Sequence, residues 1–196
     1  MTMTARTILG RILSAIGETR RVPPTGIVKI YVAAASIAAV FIVTYLALFG
    51  IATQHLQVSI FLVLLLPICF LTTTVAYNVE RLTPLDLLLA ALAFISSLWF
   101  AWNEPRYGEW MTGFSEPDLG DTVFGSILIL LCVELCRRTV GFGLTLILLA
   151  LLAYSAFGHL LSGSFRHAPV EYLYFLEMQV IGIDGIFGSP LYVTAS

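Results

Sequence analysis

Residues 122–161, TVFGSILILLCVELCRRTVGFGLTLILLALLAYSAFGHLL, decide the architecture. This stretch reads either as one long apolar helix or as two shorter ones. A single helix would bury Arg137 and Arg138 with apolar turns on both sides, at a cost of several kcal/mol. Two helices joined by a tight hairpin put the arginines at a membrane surface, and Gly141 and Gly143 just beyond them suit such a turn. The first helix, over 122–136, is short at about 22 Å against a ~30 Å hydrocarbon core. Snorkelling of Arg137 and Arg138 to the interface lets it span. The second, over 140–161, needs no such help.

Working outward, three more apolar runs of spanning length precede this pair: 27–50, 58–77 with Pro67 near its middle, and 85–102. The expectation is an all-α integral membrane protein, a bundle of about five transmembrane helices. Composition agrees. The 196 residues are 59% hydrophobic and 11% charged, with a mean hydropathy of +0.94, whereas soluble domains carry about 25% charged residues. The net charge of −2 offers no basic excess for nucleic acid. Cys69, Cys132 and Cys136 all lie in apolar runs, in no disulfide, zinc or thiol-redox spacing.

Cytoplasmic loops collect Lys and Arg. Arg6, Arg11, Arg20, Arg21 and Lys29 precede or open the first span, Arg81 lies between the second and third, and Arg137 and Arg138 lie between the fourth and fifth. With the N-terminus cytoplasmic these fall inside, leaving Arg106 and Arg166 outside. The outer loop 103–121 carries Glu104, Glu109, Glu116, Asp118 and Asp121, with Trp99, Trp102 and Trp110 at its edge, a pattern expected of an interfacial aromatic belt.

Before the first span, Ile8, Leu9, Ile12, Leu13 and Ile16 recur at helical spacing among arginines, which predicts a helix lying on the inner membrane surface. Pro23 to Gly26 ends it, and no cleavage-site pattern follows. After the fifth span, Pro169 opens a stretch mixing Leu173, Leu176 and Val180 with Glu171 and Glu177, expected as an amphipathic helix on the outer surface. Residues 182–190, GIDGIFGSP, read as a flexible break between membrane elements. The final apolar LYVTAS, 191–196, begins something that stops, so the chain reads as the N-terminal part of a longer protein. The expected organisation is a cytoplasmic segment (1–26), a four-helix membrane domain (27–138), a connecting transmembrane helix (139–161), and a periplasmic helix leading into a further domain (162–196).

Ionisable residues inside spans are functional candidates. Glu134 has Arg137 at i+3 and Arg138 at i+4, one helix face, where they can form a topology-setting ion pair. Asp86, after Pro84, favours a helix N-terminus. Ser96, Ser97 and Thr72 to Thr74 suit helix–helix hydrogen bonding, Ala34/Ala38 and Ala35/Ala39 close packing, and Tyr154 with Gly158 a packing position. His55, His159 and His167 are scattered near outward turns without metal-ligand spacing, so neither a metal nor another cofactor is expected. The chain has no nucleophile–base pair, phosphate-cradling loop or paired-carboxylate motif, so it reads as a non-enzyme.

The segment from Asp121 onward carries a more specific pattern: Asp121 with Gly125 opening a span, Glu134 to Arg138 with Gly141, Tyr154 with Gly158, then Gly185, Gly188 and Pro190 before the final apolar run. In combination this resembles the fused permease of TRAP (tripartite ATP-independent periplasmic) transporters, in which a small four-helix subunit joins a large transport subunit. The resemblance implies a multi-pass protein of a bacterial or archaeal cytoplasmic membrane. Its partners would be the lipid bilayer, the large transport domain and a periplasmic solute-binding protein. Sodium would be the coupling ion for uptake of an organic acid. The four-helix part would be a scaffold, with substrate and sodium sites beyond Ser196, so no substrate-binding residue is carried over. The acidic outer loop is expected to help dock the binding protein. A stand-alone membrane scaffold or interaction protein is the other reading of the same residues.

Overall fold

The computed structural model describes residues 23–49, 53–74, 82–111, 113–182 and 185–188. Five helices in it are long and apolar enough to cross a membrane, and no strand is present among the described residues. The protein is therefore an all-α multi-pass membrane bundle. The spanning helices are α1 (Gly26–Phe49), α2 (Gln54–Thr72), α3 (Pro84–Trp102), α5 (Leu119–Thr139) and α6 (Phe142–Phe157). Two short ones accompany them, α4 (Glu104–Gly108) and α7 (Tyr172–Val180). The expected surface helix before α1 lies outside the described residues.

Local chemistry sets the boundaries. The Thr53 hydroxyl accepts the Leu56 N–H at the start of α2. Thr83 and Asp86 form a reciprocal capping box at the start of α3, with Pro84 in the first turn, and Asp118 and Asp121 do the same for α5. The break between α5 and α6 falls at Gly141, whose φ of +96° is backbone that an L side chain rarely adopts. Gly143 plays no part in that turn. It sits within the first turn of α6, with open space where a Cβ would stand. Starting from its cap, α5 has 21 residues, about 31 Å of helix. It spans without the length contribution expected from snorkelling.

The core explains the packing. Val58, Leu62, Leu66 and Phe70 recur every fourth residue along α2 and meet Ala90, Ala93 and Phe100 of α3 and Leu128 and Leu131 of α5. Val28, Val32 and the buried Ala35 bring α1 against this group. By contrast, α6 is almost wholly uncovered, exposing Phe142, Leu144, Leu146, Ile147, Leu149 and Leu151, with Thr145 its one buried residue. An apolar outside around a tightly packed inside is the arrangement a lipid solvent favours.

Side-chain contacts fix the relative directions of the helices. The end of α2, the start of α3 and the end of α5 meet around Arg138. At the opposite end, α4 and the start of α5 meet the end of α3, and Thr53 before α2 reaches Glu104 of α4. Helix α7 packs there on Gly125, so α6 must run back from the Arg138 end toward it. The ends are termed inner and outer below, after the charge bias of the sequence.

Two expectations are corrected here. Glu177 does not lie on a solvent face of α7. It is 2% exposed beside the buried Leu176 and Val180, while Tyr172 and Tyr174 face outward. Nor is 182–188 a flexible break where described. Ile186 and Phe187 donate backbone hydrogen bonds to Gln179 and Val180, folding the segment back on α7, and Phe187 is buried with its ring 4.8 Å from that of Phe100. A Cβ on Gly185 would lie 2.9 Å from the Gln179 backbone, so this close return requires glycine.

Candidate functional site: buried charge clusters at the two ends of the bundle

At the inner end Arg138 is the organising group. Its side chain is fully buried, as is that of Asp86, and the two form an ion pair at 2.7 Å. The same guanidinium donates from Nε to Glu134 at 2.8 Å and from Nη1 to the Thr73 carbonyl at 3.1 Å. It also sits 5.2 Å from the Phe70 ring centroid. Arg137 makes a two-pronged contact to Glu134, at 2.7 and 2.8 Å. One arginine thus ties three helices together. The arrangement satisfies the condition for a tolerable buried ion pair, because Asp86 also accepts from the Thr83 N–H and hydroxyl, each at 2.8 Å.

The i+3 and i+4 geometry of Glu134 with Arg137 and Arg138 follows the sequence expectation. Snorkelling does not hold for Arg138, which turns inward because Asp86 and the Thr73 carbonyl meet it there. Sequence reasoning found Asp86 as a cap and missed it as the counter-ion. The signal was present: a carboxylate opening one span and a cation closing another on the same membrane side. The separation of 52 positions hid the pairing.

At the outer end Asp121 is the centre. Fully buried, it accepts from Trp99 Nε1 at 3.1 Å, the Tyr107 hydroxyl at 2.5 Å, the Asp118 backbone N–H at 3.0 Å and the Arg106 guanidinium. Burial and the Asp121 carboxylate push the Tyr107 phenol well above its ordinary range, so Tyr107 is a donor and stays one. Arg106 in turn lies 5.3 Å from the Tyr107 ring centroid and 5.9 Å from that of Trp110.

A second outer carboxylate, Glu177, accepts from Trp110 Nε1 at 2.7 Å and the Gly113 N–H at 3.0 Å, fastening α7 to the loop after α4. Two of the three tryptophans expected in a lipid-facing belt therefore spend their N–H groups on internal carboxylates. Only Trp102, 83% exposed, keeps the belt position.

The remaining candidates are structural in this arrangement. Gly125 lets α7 approach, since a Cβ there would meet Leu176 at 3.1 Å. The Tyr154 hydroxyl donates to the Phe165 carbonyl at 2.9 Å, and Gly158 makes room for the His167 ring. The Gly188 N–H donates to Gly185. Pro190 lies outside the described residues. Ser96 and Ser97 are fully buried but their hydroxyls reach no partner among the described residues, and the hydroxyls of Thr72 and Thr73 donate back to their own helix, to the carbonyls of Ile68 and Cys69. His55 lies in the first turn of α2, its ring 6.3 Å from that of Tyr107. An open groove of about 340 Å³ between the inner halves of α1, α2 and α3 is lined by Tyr31, Pro67, Leu71, Leu87, Ala90 and Phe94, a surface suited to acyl chains.

No family model, curated protein or solved structure matches this chain.

Proposed function

We propose that this chain is the scaffold part of a TRAP-type permease, holding a mobile transport domain in the membrane for sodium-coupled uptake of an organic acid. The observation that supports a scaffold is the use made of the buried carboxylates. Asp86, Asp121 and Glu177 each accept hydrogen bonds from an element other than their own, so they cross-brace the bundle instead of lining a path through it. Rigid bracing at both ends suits a part that stays still while another moves. Helix α6, uncovered along most of its length, leads from the braced bundle to the outer cap and is the surface on which a transport domain would pack.

The test is sodium-dependent uptake of a panel of radiolabelled organic acids by cells lacking this gene and by cells complemented with it. Sodium-dependent uptake of at least one acid, lost in the deletion and restored on complementation, is the expected result. Unchanged uptake across the panel overturns the reading in favour of a stand-alone scaffold. Docking of a binding protein on the exposed Glu109 and Glu116 predicts that Glu109→Lys with Glu116→Lys weakens uptake, and unchanged uptake removes that part of the proposal.

A further inference from the structure

The Tyr154 and Gly158 pair, unused by the scaffold reading, surrounds a histidine with an unusual set of partners. His167 Nε2 lies 3.0 Å from the Tyr154 carbonyl and Nδ1 lies 2.6 Å from the Ala168 carbonyl. Carbonyl oxygens only accept hydrogen bonds, and a neutral imidazole has a single N–H to donate. Both contacts are hydrogen bonds only when the ring is the imidazolium.

The end of α6 favours that cation. The Tyr154 carbonyl is among the last of α6 and already accepts the Gly158 N–H, so it belongs to the negative end of the helix dipole. A Cβ on Gly158 would stand 2.3 Å from His167 Nε2, so glycine is what admits the ring. The groups facing His167 are the Tyr154 ring at 5.4 Å and the His159 ring at 6.5 Å, with Arg166 its neighbour in the chain. Among the described residues no carboxylate pairs with it, so backbone carbonyls, not a counter-ion, hold the proton.

We propose that His167 is a proton-operated clasp on the outer face of the bundle. As the imidazolium it ties the segment 159–168 to the end of α6 through Nε2 and the Tyr154 carbonyl, while Nδ1 bonds the adjacent Ala168 carbonyl. The neutral ring has one N–H for both, so loss of the proton divides it between them and weakens the tie to α6. The second strap, from the Tyr154 hydroxyl to the Phe165 carbonyl, keeps the segment nearby when the clasp opens. The sign follows from the partners. The two carbonyls raise the His167 pKa above the ordinary histidine value. The clasp is therefore complete in acid and is lost as pH rises from the ordinary histidine range, about 6.5, through the raised value.

Ring-nitrogen NMR of the full chain, histidine-labelled and reconstituted in nanodiscs, tests the protonation. A His167 midpoint above that of an ordinary histidine, with both N–H groups protected below it, is expected. A midpoint at or below the ordinary value overturns the clasp. A nitroxide at Ser162→Cys, with the three native cysteines replaced by alanine, reads the mechanics. Its mobile fraction should rise about twofold or more between about pH 6 and pH 9. Gly158→Ala, which evicts the ring, should leave the label mobile at every pH and return His167 to an ordinary midpoint. A raised midpoint with label mobility indifferent to pH also overturns the proposal, because the proton would then move nothing.

Discussion

At the scale of single residues, the Asp86–Arg138 pair is the most consequential contact. Removing one partner of a fully buried pair costs about 3–5 kcal/mol, with the low end expected where the remaining charge keeps a second carboxylate, as Arg138 keeps Glu134. We expect Asp86→Leu to destabilise the protein by that amount in detergent unfolding, and Arg138→Met combined with Asp86→Leu to recover most of the loss. Equal losses in the single and double variants would mean that the two charges are not coupled. Tyr107 gives a second residue-scale prediction. Its folded-state pKa is raised, so above the ordinary phenol value of about 10 the unfolded chain ionises first and stability falls as pH rises further. Spectrophotometric titration should show one tyrosine ionising only with alkaline unfolding, and Tyr107→Phe should remove that component.

At the scale of elements, the α5–α6 junction separates two glycines that look alike in sequence. Gly141→Ala places a side chain at φ +96°, ψ 175°, a region essentially reserved for glycine, and should cost about 1–3 kcal/mol. Gly143→Ala, in open helical space, should stabilise by up to about 1 kcal/mol. Thermal unfolding of the two variants checks the assignment, and a reversed order would move the turn. The helices themselves were legible in the sequence because the signal is local: a run of apolar residues, Pro84 and Asp86 at the opening of a span, an arginine pair that cannot sit mid-membrane. The inward face of α7 was not legible. Glu177 reads as a solvent residue from its own helix, and only Trp110 and Gly113, more than sixty positions earlier, make its burial tolerable. Gly125→Leu should push α7 off α5, part Glu177 from Trp110, and shift tryptophan fluorescence to the red, whereas unchanged emission would mean that α7 repacks in place.

At the scale of the whole molecule, what the sequence conveyed was the number of spans, an additive property of composition. What it withheld was the bracing, which depends on residues from three or four elements meeting at one point. Trp99, Arg106, Tyr107 and Asp121 lie within 23 positions yet read as an aromatic belt and an acidic loop, since nothing in the order of residues says that the indole turns inward. Orientation has a direct check. A membrane-impermeant maleimide added to intact spheroplasts should label Ser162→Cys and leave Thr139→Cys unlabelled until the membrane is opened. The opposite pattern would invert the molecule and with it the side on which the clasp and the acidic loop lie.

The inner brace also dictates an order of events during synthesis. Asp86 emerges from the ribosome before Arg138 does, so α3 enters the membrane with a carboxylate that has its Thr83 cap and no cation. Until α5 arrives, the inner ends of α2 and α3 lack the arginine that ties them to it. The inner end of the bundle is therefore locked by the last of these three helices to be made, and a chain that stops short of Arg138 has the three-way junction unmade.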